Sequence, residues 1–147
     1  MFSIAMVVVL NTLRFYVFSN SVRQNQENAR NIVDAIDRDV RFGKLIEPND
    51  TSGTIGKVCV LKSAENRVVL YENINQNITK KVFSYATEPS SCSDPALVLQ
   101  GNAMTLNVDR MKVPAFDITK TQGASVESKP NAAAVLIKMQ VLTGTAN

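Results

Sequence analysis

Histidine and tryptophan are absent from this 147-residue chain, and aromatic residues make up only 6% of it. Without histidine there is no imidazole acid/base, no Ser-His or Cys-His nucleophile pair and no histidine-ligated metal. So few aromatic rings exclude a broad base-stacking surface. Two cysteines without CxxC spacing argue against a zinc site. A net charge of +3 is too small to indicate nucleic acid. The 45% of hydrophobic residues places the chain among folded proteins.

The hydrophobic residues are unevenly spread. Met1–Phe18 reads MFSIAMVVVLNTLRFYVF, with Arg14 as its sole charge. A membrane-spanning helix takes about 20 apolar residues, and this run is slightly shorter. A cleaved signal would need a basic start and a small-residue cleavage site, and neither Met1 nor Ser19-Asn20-Ser21 fits. A buried core helix is seldom apolar all round at this length. The remaining reading is a membrane or filament-core helix built from Phe2, Ile4, Met6, Val7, Val8, Val9, Leu10, Leu13, Phe15, Val17 and Phe18. Arg14 would snorkel beside an aromatic belt of Phe15, Tyr16 and Phe18, and Asn11 would seek a partner helix.

No Pro or Gly ends this run, and helical period continues through NSVRQNQENARNIVDAIDRDVRF. Phe15, Phe18, Val22, Ala29, Val33, Ile36 and Val40 share a face, interrupted by Gln26. Val22, Ala29, Val33, Ile36 and Val40 are the candidate helix-to-sheet contacts. Arg23, Glu27, Arg30, Asp34, Arg38 and Arg41 lie on the other side. Asp34–Arg38 and Asp37–Arg41 are i,i+4 pairs with the acid first, and Arg38 and Arg41 account for Asp39 as well. Gly43 reads as a C-cap. The expected helix runs from near Met1 to about Phe42 and is roughly 60 Å long, so its first half must protrude from any small domain.

Beyond Gly43 the chain breaks into short β-branched runs between Pro, Gly, Ser and Asn clusters. Lys44–Thr54 reads as a loop. Strands are expected at Ile55–Lys62, Arg67–Glu72, Ile78–Tyr85, Ala96–Leu99, Met104–Val113 and Ala115–Lys120, and at Ala132–Leu142, where a helix is the alternative. The predicted class is α+β, a long N-terminal helix packed on one antiparallel sheet. Residues 1–18 form the hydrophobic half-helix, 19–43 the amphipathic half and 44–147 the globular sheet domain.

The segments FSIAMVVV and QENARNIVDAIDRDVRFGKLIEP, followed by KVCVLKSAENRVVLYENINQNITKKVFSY, resemble the type IV pilin superfamily. The resemblance is to its minor pilins and pseudopilins, in the group that includes the J-type minor pseudopilin of type II secretion and the W-type minor pilin. It covers residues 2–45 well and 55–85 loosely. The family's basic leader, small residue at the peptidase site and following aromatic and Glu are absent here. Phe2 instead matches a position about two to three turns inside the mature helix, so the chain is expected to begin mid-helix.

The resemblance implies a non-enzymatic structural subunit of a type IV pilus-like or type II secretion pseudopilus filament. Such a subunit sits in the bacterial cytoplasmic membrane by a single pass and then in an extracytoplasmic filament. Its partners would be other pilin or pseudopilin subunits through the N-terminal helix, and membrane lipid before assembly, with no cofactor and no small-molecule substrate. A competence-type pseudopilin assisting uptake of DNA is the alternative within the family, and a single-pass anchored adhesin or binding module is the alternative outside it. In an extracytoplasmic domain, Cys59 and Cys92 are a candidate disulfide; two thiols, with Cys59 buried, is the other reading. Asn49-Asp50-Thr51 and Asn77-Ile78-Thr79 match the glycosylation pattern but read as ordinary loop asparagines. Lys80-Lys81 reads as a solvated strand face before a DNA contact. The Gly56-Lys57 ending lacks the spacing of a phosphate-binding loop.

Overall fold

A computed structural model describes residues 2–47, 56–108, 111–122 and 133–143. Helix α1 (Phe2–Phe42) is unbroken over 41 residues. It is followed by strands β1 (Lys44–Glu47), β2 (Lys57–Lys62), β3 (Arg67–Ile74), β4 (Asn77–Ser84), β5 (Val98–Leu99), β6 (Met104–Thr105), β7 (Met111–Gln122) and β8 (Ala133–Thr143). The class is α+β, a long N-terminal helix packed on antiparallel sheet.

The sheet is not single. Strands β1 to β6 form one antiparallel sheet in the order β1-β2-β3-β4-β5, with β6 also on β4, while among the described residues β7 and β8 pair with each other in a second, two-stranded sheet. Local chemistry sets the turns. A 3-10 turn at Ser63–Glu65 ends on Asn66 at φ 50°, feeding β3 back along β2. Asn75 and Gln76 have φ 51° and 64°, the mirror-image turn that suits the twist of a two-residue hairpin. Pro114 does not break β7, because a register shift between Lys112 and Ala115 removes it from the ladder.

Strand alternation gives the larger sheet two apolar faces. Val58, Val60, Val69, Tyr71 and Ile78 face α1, and the β7–β8 hairpin closes this core with Met111, Val113, Phe116 and Ile118. On the other face Ile46, Cys59, Leu61, Val68 and Leu70 are covered by Phe83, Tyr85, Cys92 and Leu97.

Several expected boundaries change. Lys44–Glu47 is a strand and not loop, and a bulge between Leu45 and Glu47 lets both Ile46 and Glu47 be buried. Met104–Val113 is divided between β6 and β7. The expected loop Thr121–Asn131 begins within β7, and its remainder lies outside the described residues, as does the motif at Asn49-Asp50-Thr51.

Candidate functional site

The two halves of α1 have opposite surroundings. From Met6 to Phe18 every side chain is exposed. Met6 is 65% accessible, Phe15 73% and Tyr16 70%, values that folded domains seldom allow for consecutive large apolar residues. Met6, Val7, Val8, Val9, Leu10, Leu13, Phe15, Val17 and Phe18 therefore form one solvent-facing apolar sleeve. Phe2 and Ile4 extend its helical backbone, and their side chains lie outside the described residues. Among the described residues no helix is long and apolar enough to cross a membrane.

Polar groups on this free half divide into two kinds. Thr12 donates its hydroxyl to the Val8 carbonyl at 2.8 Å, and Ser21 donates to Val17 at 3.0 Å, so both are satisfied within the helix. Asn11 and Arg14 have no hydrogen-bond or ion-pair partner among the described residues.

The second half is clamped to the domain. Ile32 and Ile36 are buried, with Ala29 and Val40 packed beside them. Val22 and Val33 are only half-buried, so the contact stripe is rotated toward Asn25, Ile32 and Asp39 relative to the expected face. Ile32 was not among the expected contacts. The exposed Gln26 is no intruder, since the buried polar residues are Asn25 and Asp39.

Polar ties close both ends of the stripe. At one end the Asn28 side-chain amide donates to the Leu106 carbonyl at 3.2 Å, and its oxygen accepts from Val108 N–H at 3.3 Å. At the other, the Asp39 carboxylate faces Lys62 Nζ at 2.7 Å and Lys80 Nζ at 3.3 Å, and accepts the Tyr71 hydroxyl at 2.6 Å. Lys80 also lies 5.2 Å from the centre of the Tyr71 ring. Burial alone would raise the Asp39 pKa, but hydrogen bonds from Lys62 and Tyr71, with the charge of Lys80, outweigh it and hold the carboxyl below its ordinary value. Burial, and then the bond to Asp39, push the Tyr71 hydroxyl well above its usual range, which keeps it a donor.

This corrects the assignment of Asp39 to a helix-surface pair. Asp37–Arg41 forms at 2.7 Å, but Asp34–Arg38 is not among the ion pairs of the described residues. Lys80 and Lys81 are not a bare basic face either, since Lys80 reaches Asp39 and Lys81 pairs with Glu72. Pattern reasoning missed Asp39 because its partners come from β2, β3 and β4. The legible signal was a second polar residue, after Asn25, on the apolar stripe.

Gly43 stops the helix for a reason other than the expected cap. Its φ is outside the left-handed region, and a Cβ there would run into Val60 Cγ1 and lie 2.8 Å from the Leu61 carbonyl oxygen and 2.9 Å from that of Asp39. Only glycine lets α1 end this close to β2.

The far face of the sheet is held by a covalent strap. Cys59 and Cys92 are disulfide-bonded with Cα atoms 6.2 Å apart. Beside them Glu47 pairs with Lys57 at 2.6 Å and accepts from the Ser91 hydroxyl at 3.0 Å and Cys92 N–H at 3.4 Å. Burial would raise the Glu47 carboxyl, but the Lys57 and Ser91 contacts prevail and lower it. Among the described residues no cluster of three or more Cys, Asp or Glu is placed to hold a metal.

The chemistry on display is therefore an apolar helical rod rigidly mounted on a stapled domain. Compared with family models, curated proteins and solved structures, the chain matches none, so a functional reading rests on its own residues.

Proposed function

We propose that this chain is a structural subunit of a filament of the type IV pilus or type II secretion pseudopilus kind, a minor pilin or pseudopilin. One observation carries the reading: the apolar sleeve Met6–Phe18 stands free while the rest of the same helix is clamped to a folded domain. Water is a poor solvent for the sleeve, so lipid or other helices must cover it. In this reading neighbouring helices are the sleeve's final environment and lipid the one before assembly. In this reading the subunit is held at the bacterial cytoplasmic membrane and then moves into an extracytoplasmic filament. The geometry asks for no catalytic group, because exchange of lipid for neighbouring helices is driven by packing and by partners for Asn11 and Arg14. The DNA-uptake form of the reading draws no support from Lys80 and Lys81, whose charges are engaged within the domain.

The test is fractionation of the native cells, with the chain followed by antibody. The expected result is recovery in the membrane pellet and in filaments sheared from the surface. A chain recovered wholly in the soluble fraction as a monomer overturns the proposal.

A further inference from the structure

The face of the larger sheet that carries α1 is covered unevenly. Residues opposite one another in a ladder share a face. The registers Val58↔Tyr71, Tyr71↔Lys80 and Lys80↔Met104 therefore set these side chains in one row across β2, β3, β4 and β6. Arg67, Ser84 and Val98 form a second row on the same face. Val58 and Tyr71 are fully buried, whereas Val98 is 60% and Met104 61% accessible. The cover given by α1 and the β7–β8 hairpin thus stops at β4. Beside it lies an open ledge of half-buried Val82 and Ser84 and exposed Val98, Gln100 and Met104. The Gln100 amide is tied down on it, donating to the Ser84 hydroxyl at 2.7 Å.

The ledge itself is neutral. In a chain with 20% charged residues, Ala96–Val108 carries none. Exposed apolar side chains gathered on one uncharged ledge mark a contact surface, whereas scattered ones do not.

Its border toward α1 is basic. Lys62 and Lys80 share the single carboxylate of Asp39, at 2.7 and 3.3 Å. Arg38 is exposed and makes no ion pair among the described residues, and it lies near enough for its charge to act on the Tyr71 hydroxyl. Three positive charges meet one negative charge here. The lysines are not sealed, since their side chains are 23% and 28% accessible.

We propose that this ledge docks an acidic segment of a partner protein, its aliphatic side chains on Val98 and Met104 and its carboxylates at Arg38, Lys62 and Lys80. Charge complementarity selects acidic over basic partners. Two surplus charges are too few for a nucleic-acid backbone, and an aliphatic floor suits side chains and not phosphates. Arg38 lies roughly 30 Å along α1 from Phe18, so the headgroups of a lipid layer around the sleeve do not reach it. Lys62 and Lys80 are already held in place by Asp39, so a partner carboxylate meets donors that need little further ordering. The proposal concerns the domain and is independent of the filament reading.

The experiment uses the full chain in phosphatidylcholine nanodiscs, whose lipid has no net charge, with empty nanodiscs as the baseline. Fluorescein-labelled peptides are titrated and followed by anisotropy. A peptide of alternating valine and glutamate should bind. A peptide with lysine in place of glutamate, or serine in place of valine, should bind at least tenfold more weakly. Arg38→Glu and Met104→Glu, both at exposed positions, should each weaken the valine–glutamate peptide at least tenfold, and Arg38→Glu should improve binding of the lysine peptide. An unchanged urea midpoint reports that each variant is folded, and Val98→Glu replaces either one that fails that control. No binding of the valine–glutamate peptide, equal binding of its serine counterpart, or indifference to Arg38→Glu would each overturn the proposal, as would a DNA duplex that bound in the peptide's place. A chain that enters sheared filaments but ignores the peptide would sink this docking surface and leave the filament reading standing.

Discussion

Asp39 carries more of this molecule's geometry than any other single residue. One carboxylate at the end of the helix stripe gathers a lysine from β2, a tyrosine from β3 and a lysine from β4. Replacing it with Asn keeps the shape and an acceptor for Tyr71 but leaves both lysines without their counter-charge. The two lysines are partly exposed and retain some water, so the expected loss is about 2 kcal/mol, read by urea unfolding. The pH response follows from the same contacts. Asp39 and Glu47 both hold their protons less tightly folded than unfolded, where the ordinary values are 3.8 and 4.5. Their contribution is present in full above about pH 5 and is lost as pH falls through the lowered native values, because the unfolded chain then binds more protons. The Asn variant should show a flatter decline between about pH 5 and pH 2; an unchanged slope would exclude Asp39 as its source. Only the place of Asp39 on the stripe with Asn25 was legible in local sequence, where an Asp among arginines on a helix otherwise reads as a surface pair. Burial of a charge is decided by what the strands bring to it.

Two element-scale features fix how the pieces meet. Gly43→Ala would press a methyl group into Val60 and against two carbonyl oxygens, so the end of α1 must lift from β2. The expected cost is about 2 kcal/mol, read as a lower urea midpoint. On the opposite face the disulfide spans a separation of 33 residues. Cys59→Ala with Cys92→Ala should lose about 3–4 kcal/mol by the chain-entropy estimate and should open the Tyr85–Leu97 segment to protease first. Survival of that segment would show that the Glu47 bonds to Ser91 and Cys92 hold it alone. The elements themselves were legible to different degrees. α1 was plain because an apolar run without Pro or Gly passes straight into an amphipathic segment of helical period that ends at Gly43, and β2, β3 and β4 because β-branched runs sat between turn residues. β1 was hidden, being four residues long with two of them buried by a bulge that no period marks. The separation of β7 and β8 from the larger sheet was hidden too, since strand patterns state which residues pair but not in which sheet.

At the scale of the whole molecule, one helix serves two solvents. Its second half is committed to the domain by Ile32, Ile36, Asn28 and Asp39, and its first half is exposed from Met6 to Phe18 among the described residues. The sequence carried this division openly as an apolar run with one charge, whereas the direction in which the free half points is set by the clamps. The division makes a clean prediction. Leu10 and Leu13 are 46% and 55% exposed and lie outside the domain core, so Leu10→Glu with Leu13→Glu should leave folding intact. The urea midpoint of the domain should stay within about 0.5 kcal/mol of the parent, as for other surface changes. The same pair places two carboxylates at the middle of the sleeve, where either lipid or a neighbouring helix would have to desolvate them, at about 2.5–3.5 kcal/mol each on the insertion scale. Flotation with phosphatidylethanolamine–phosphatidylglycerol vesicles should therefore fall at least tenfold, and the chain should vanish from sheared filaments. Loss of stability together with flotation would mean that the free half supports the domain after all; retention of both would mean that the sleeve is not the docking element, and the filament reading would fall with it.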